Sequence, residues 1–158
     1  MMRRNKNKLE KRERGYLTPE DRAKLFKRDW RYYKHFLKLI IENYEVDEQI
    51  GPILDVGCGE GHFIHLCKLF RLDCYGIEGE ENLYKHCINQ GFKVYQIDLE
   101  LKENNNLPFE SNFFSAIVCN QVLEHLSFEG GMRLLKEIYR VLKPGGFCYY
   151  SLPANIMF

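Results

Sequence analysis

The stretch Ile53-Leu54-Asp55-Val56-Gly57-Cys58-Gly59-Glu60-Gly61-His62-Phe63 leaves this chain few folds to choose from. Ile53, Leu54 and Val56 have the apolar, mostly β-branched character of a central strand. Gly57, Gly59 and Gly61 follow at alternate positions. There the backbone can take positive φ, and a ligand can approach with no Cβ in its way. Phe63, Leu66, Cys67 and Phe70 then recur at helical spacing, so a helix N-terminus points into the turn. That end offers free N–H groups and a partial positive charge. A glycine turn between strand and helix is where open α/β sheets bind nucleotide-like ligands. The spacing is G-x-G-x-G, not the G-x-G-x-x-G of dinucleotide sites. Glu78 stands about twenty residues further on, the distance at which an acidic side chain bonds ribose hydroxyls.

Downstream, strands alternate with helices. Cys74–Ile77, Phe92–Ile97, Ser115–Asn120 and Phe147–Leu152 read as strands two to five. Helices are expected over about 62–71 and 81–89, the second closed by Gly91, and along Met132, Leu135, Ile138, Tyr139 and Leu142 up to Pro144-Gly145-Gly146. Asn104-Asn105-Asn106 mark a loop. This alternation demands right-handed crossovers and a mostly parallel, doubly wound α/β sheet. Upstream, Thr18 can cap a helix with Pro19 at its first position and Asp21 three residues past the cap. Phe26, Trp30, Tyr33, Leu37, Ile40 and Tyr44 give that helix an apolar stripe, which reads first as packing.

Three segments follow. Residues 1–17 are basic, with Arg3, Arg4, Lys6, Lys8, Lys11, Arg12 and Arg14 against Glu10 and Glu13. They read as a disordered, solvated terminus, with an arm for an anionic partner as the sharper alternative; the acidic residues interrupt any mitochondrial presequence. Residues 18–50 form an N-terminal helical extension, and 51–158 the ligand-binding domain. The formal net charge of the 158-residue chain is +1, which argues against the chain as a whole binding a polyanion such as nucleic acid. No run of about eighteen apolar residues signals a membrane span, and the first residues lack a secretory h-region. The six cysteines form no C-x-x-C pair and sit mostly in apolar patterns, as free thiols in a reducing compartment, so the expected location is cytoplasmic.

From about residue 50 to 153 the chain resembles the class I S-adenosylmethionine-dependent methyltransferases, whose first motif runs apolar-apolar-Asp-apolar-Gly-x-Gly-x-Gly. Further pieces occur in the family's order: Asp98 at the end of the third strand, Leu107-Pro108-Phe109 before the fourth, Asn120-Gln121-Val122-Leu123-Glu124-His125-Leu126 after it, and Tyr139-Arg140-Val141-Leu142-Lys143-Pro144-Gly145-Gly146 before the fifth. The subgroup it is most similar to includes ubiquinone- and menaquinone-type methyltransferases. The resemblance implies a Rossmann-like sheet of seven strands ordered 3-2-1-4-5-7-6, of which five lie in this chain and the last two are missing. Two local departures stand out. Phe114-Ser115 replaces the usual Phe-Asp, and a longer loop separates Asp98 from Leu107.

The resemblance also implies roles. S-adenosyl-L-methionine is the expected cofactor and a small molecule the expected acceptor. Gly57, Cys58, Gly59 and Gly61 would meet the methionine part, and Asp55 would order that loop or meet the amino group. Glu78 would hold the ribose, Asp98 with Leu99 would bracket the adenine, and Asn120 would stand near the methionine end. Trp30, Tyr33 or His35 would line the pocket if the preceding helix closes over it. His125, at the carboxyl edge of the fourth strand, is the candidate base, against a structural role at a helix start. Glu124-His125 echoes a Glu-x-x-Glu-His metal site, but Gln121 replaces its first Glu, so no metal is expected. One alternative function is a non-catalytic or partner-dependent cofactor-binding module, completed by a partner chain or by self-association through the fifth-strand edge. Another is an NAD-type oxidoreductase, disfavoured by the glycine spacing.

Overall fold

The computed structural model describes residues 28–42, 50–100 and 106–152, with side chains from Tyr33 onward in the first segment. The Thr18 cap, Phe26, Tyr44, the side chain of Trp30, the basic residues 1–17 and the segment after Leu152 lie outside these. In chain order the elements are α1 (Arg28–Glu42), β1 (Ile53–Val56), α2 (His62–Leu69), β2 (Cys74–Glu78), α3 (Glu81–Asn89), β3 (Lys93–Gln96), β4 (Phe114–Asn120), a 3₁₀ turn (Leu123–His125), α4 (Phe128–Val141) and β5 (Leu142–Ser151). Among these residues no helix is long and apolar enough to cross a membrane.

The sheet order is β3-β2-β1-β4-β5, and every neighbouring pair is parallel. All four residues of β1 are buried, as expected for the central strand of a sheet covered on both faces. Alternation along β1 splits the core in two. Ile53 joins Phe36, Leu37 and Ile40 of α1 and Phe63, Leu66 and Cys67 of α2 on one face. Leu54 and Val56 join Leu134, Ile138 and Val141 of α4 on the other. The result is a three-layer Rossmann-like α/β domain.

Local chemistry explains the boundaries. Glu80 caps α3 by accepting from the N–H groups of Asn82 at 2.8 Å and Leu83 at 3.1 Å. Ser127 caps α4, its Oγ accepting from Gly130 N–H at 3.0 Å. The buried face of α4 is Gly130, Leu134, Ile138 and Val141. Of the stripe expected from the sequence only Ile138 belongs to it, while Met132 and Tyr139 are exposed; α4 has two apolar stripes, and the sequence does not say which one the sheet takes. The fifth strand also departs from expectation. Pairing begins at Phe114↔Leu142, then resumes at Ala116↔Phe147 after an irregularity. Pro144 has no N–H to donate and Gly145 sits at φ 78, so the intervening residues bulge instead of breaking the strand away. Ser115, standing where the resemblance implies Asp, is buried. Its N–H donates to Pro52 O at 2.8 Å and its Oγ accepts from Lys143 Nζ at 3.4 Å.

Candidate functional site

The glycine turn leaves the carboxyl end of β1 and is pinned from the β2 side. Gly57 and Cys58 both donate to Ile77 O, at 2.9 and 3.0 Å. Gly59 donates to Oε2 of Glu78 at 2.8 Å, and Glu80 N–H donates to the other oxygen, Oε1, at 3.0 Å. Glu78 therefore ties the turn to the start of α3, leaving its remaining lone pairs for a ligand. The Cys87 thiol of α3 completes the tie, donating to Gly59 O at 3.2 Å.

The three glycines do different things. Gly57 has φ 68, and a Cβ there would stand 2.6 Å from Val122 Cγ2 and 3.7 Å from Leu99 Cδ1. Gly59 has φ 54 and open space where a Cβ would go, which is room for a ligand. Gly61 is buried, and its Cβ would collide with the Phe92 ring at 2.7 Å. Its smallness serves the packing of α2 on α3 and β3.

Asp55 is buried in β1. Burial, and then the charge of Glu78, push its pKa up from 3.8 to about 8. Cys58 is buried beneath the turn, and burial raises its thiol pKa, so it is not a reactive thiolate. Five of the six cysteines are buried, with Cys148 half-buried, and all are free.

Asp98 is exposed, and its Oδ1 accepts from Glu100 N–H at 3.0 Å. Its neighbour Leu99 reaches Gly57, and the Asp98 backbone runs beside Gly79, whose Cβ would stand 3.8 Å from Asp98 Cα. Beyond them Glu100 clamps onto the cap of α4, accepting from Ser127 N–H at 2.5 Å and Ser127 Oγ at 2.8 Å. Asn120 ends β4 with its Oδ1 accepting from the Ser151 hydroxyl of β5. Gln121 then turns the chain at φ 53, donating its N–H to Ser151 O at 3.0 Å.

The structure thus gathers Asp55, Gly57, Gly59, Glu78 and Leu99 around one turn, and sets Asn120 beside it on β4. His125 is exposed on the 3₁₀ turn. Tyr33 packs on Phe63, with ring centroids 5.9 Å apart, and His35 is exposed with its ring 5.9 Å from that of Phe36. The sequence gives no site signal for Val122 or Ser151, and it marks Glu124 only as part of an incomplete metal motif. Val122 and Ser151 are ordinary residues of a strand or turn, and only the fold brings them to the site. Both carboxyl oxygens of Glu124 are buried without a hydrogen-bond partner. Among the described residues no group of three or more His, Cys, Asp or Glu side chains could hold a metal ion. A cleft lined by Lys68, Asp73, Gly91 and Phe92 lies at the opposite, amino end of β2 and β3.

The acceptor groups suit a nucleoside with a cationic tail: a carboxylate for hydroxyls beside β2, an open glycine at Gly59, and unmet carboxyl oxygens on the β4 side. Residues 54–150 match the family described as "Methyltransferase domain". The chain is 36% identical over 98 residues to an Arabidopsis thaliana protein named tRNA (carboxymethyluridine(34)-5-O)-methyltransferase, covering 60% of this chain and 22% of that one. It is 31% identical over 104 residues to a ubiquinone/menaquinone biosynthesis C-methyltransferase of Desulfotalea psychrophila, covering 65% and 41%. The chain therefore spans less than half the length of these curated relatives. Among solved structures, a SAM dependent methyltransferase from Archaeoglobus fulgidus superposes with a TM-score of 0.59 at 22% identity, covering 72% of this chain and 46% of that one, a likeness of fold.

Proposed function

The chain belongs to the methyltransferase domain family, and from that premise we propose that it binds S-adenosyl-L-methionine over the Gly57–Gly61 turn and passes the methyl group to a small-molecule acceptor. The observation that carries this reading is the Glu78 carboxylate at the end of β2, held by the N–H groups of Gly59 and Glu80. It is fixed beside an open glycine, where a ribose can meet it.

When bound, the cofactor supplies a methyl group already activated by its sulfonium charge. The protein's part is then to align donor and acceptor and to take a proton where the acceptor carries one. Glu78 would face the ribose hydroxyls. Leu99 and Val122 would flank the ligand over Gly57, and Asp98 would lie toward the adenine. Asn120 and Asp55 would stand near the methionine end, and His125, exposed on the 3₁₀ turn, is open to an incoming acceptor.

A second reading, transfer to tRNA, is favoured by the relative named for that reaction. The net charge of +1 and the relative named for quinone biosynthesis favour the small molecule. Calorimetry with S-adenosylhomocysteine and NADH tests the cofactor, with binding of the first alone expected. Transfer of labelled methyl to a panel of quinols, phenols and amines, against unmodified tRNA, tests the acceptor. Label in tRNA alone would replace the small-molecule reading. Tight binding with no transfer to either would favour a non-catalytic module.

A further inference from the structure

Neither carboxyl oxygen of Glu124 has a hydrogen-bond partner although both are buried, and no other buried side-chain nitrogen or oxygen among the described residues is left so. Taking a carboxylate out of water without a partner is costly, and a native fold tolerates it best where a ligand supplies the missing partner.

The location points to that ligand. Glu124 lies on the 3₁₀ turn over the carboxyl ends of β4 and β1, two residues past Val122, the side chain against Gly57. Cys119, the register partner of Val56, has both Asp55 and Glu124 near enough to influence its thiol. Glu78 bonds the same glycine turn from the β2 side. Two carboxylates thus flank the turn, one beyond each neighbour of β1. A nucleoside held by its ribose at Glu78 extends its other end across β1 toward Glu124. Asp55, which lies between them, is a poor counter-charge, because burial keeps it largely protonated at neutral pH.

We propose that Glu124 is the counter-charge for the cationic methyl-donating centre of the cofactor, distinguishing the charged donor from its neutral demethylated product. This rests on the cofactor site proposed above. Once the methyl group leaves, the sulfur is a neutral thioether and Glu124 is again buried without a partner, so the product is held less tightly. The benefit lies in binding and release; stabilising the charge before transfer does not lower the barrier to transfer.

Calorimetry with three ligands tests this on the whole chain: S-adenosylmethionine with its sulfonium, sinefungin with an ammonium at the same position, and neutral S-adenosylhomocysteine. The wild type should prefer both cations. Glu124→Gln keeps the shape and removes the charge. It should weaken both cations about tenfold, the scale of one lost charged contact, and leave S-adenosylhomocysteine within about twofold. Equal loss for all three ligands, or no loss, overturns the proposal. Equal affinities of the three for the wild type overturn it without any variant. If none of the three binds the wild type, the cofactor reading fails, and this proposal fails with it.

Discussion

Gly59 donates its backbone N–H to Oε2 of Glu78 at 2.8 Å, across nineteen residues of chain. The carboxylate proposed for the ribose and the turn proposed for the methionine end are therefore one assembly, and neither can be changed alone.

Glu78→Ala should weaken S-adenosylhomocysteine binding by roughly 1.5–3 kcal/mol, the scale of hydrogen bonds to a charged group. Because it also releases Gly59 and Glu80, it should lower the thermal midpoint. Glu78→Gln keeps one acceptor oxygen and should lose less of both. Full affinity in a folded Glu78→Ala variant would remove this residue from the site.

Substitutions at the glycines should separate backbone strain from steric contact. Gly59→Ala meets no atom within 4 Å, so only its left-handed backbone opposes it, at about 1–2 kcal/mol. Gly57→Ala adds the approach to Val122 Cγ2 and should be the more damaging in urea unfolding. Val122→Ala should restore part of the stability of Gly57→Ala and none of that of Gly59→Ala. The larger Gly59→Val should also lose S-adenosylhomocysteine binding, because its side chain fills the open space.

Arg140 joins α4 to the loop before β4. It donates to Phe109 O at 2.8 Å and Leu107 O at 3.0 Å, and pairs with Glu137 at 2.6 Å. Glu137 in turn accepts from Leu107 N–H at 2.8 Å. Arg140→Ala should cost about 2–3 kcal/mol in denaturant unfolding, since it strands two carbonyls and a carboxylate. Arg140→Lys should recover only part, because an ammonium cannot reproduce the planar fork.

Asp55 should leave a signature in the pH dependence of stability. Its pKa rises from 3.8 to about 8 on folding, by burial and then by the charge of Glu78. Between those values the native state holds a proton that the unfolded chain has lost. Stability from this group therefore falls as pH rises through the window, by up to about 1.4 kcal/mol per unit, and levels off above it. Asp55→Asn should flatten that fall between pH 5 and 8 in unfolding measured at fixed pH steps. An unchanged slope would mean that Asp55 ionises in the native state much as in the unfolded chain.

The sheet was legible because its signals are local. The β1 apolar run, the glycine spacing and the stripe of Leu37 and Ile40 each report burial through nearest neighbours in sequence. Glu78 was legible by its distance from the turn, but its bond to Gly59 was not, since nothing in the chain fixes the rotamer of a strand-end carboxylate. At Gly61 the sequence shows the glycine spacing, but the demand for smallness made by the Phe92 ring is visible only in three dimensions. At Glu124-His125 the side chains share one short turn, and its rotation buries the first and exposes the second. The positive φ at Gln121 helps to set that turn, and a glutamine gives no warning of it.

Glu100 grips the first turn of α4 from a position two residues past Asp98. The wall proposed for the adenine and the first turn of α4 are therefore linked through Ser127. Settling a purine against the first would damp fluctuations in the second, even for a ligand too short to touch it. Adenosine alone, with no methionine part, should then slow amide exchange at the start of α4, so that half a cofactor already stiffens the side of the site it does not occupy.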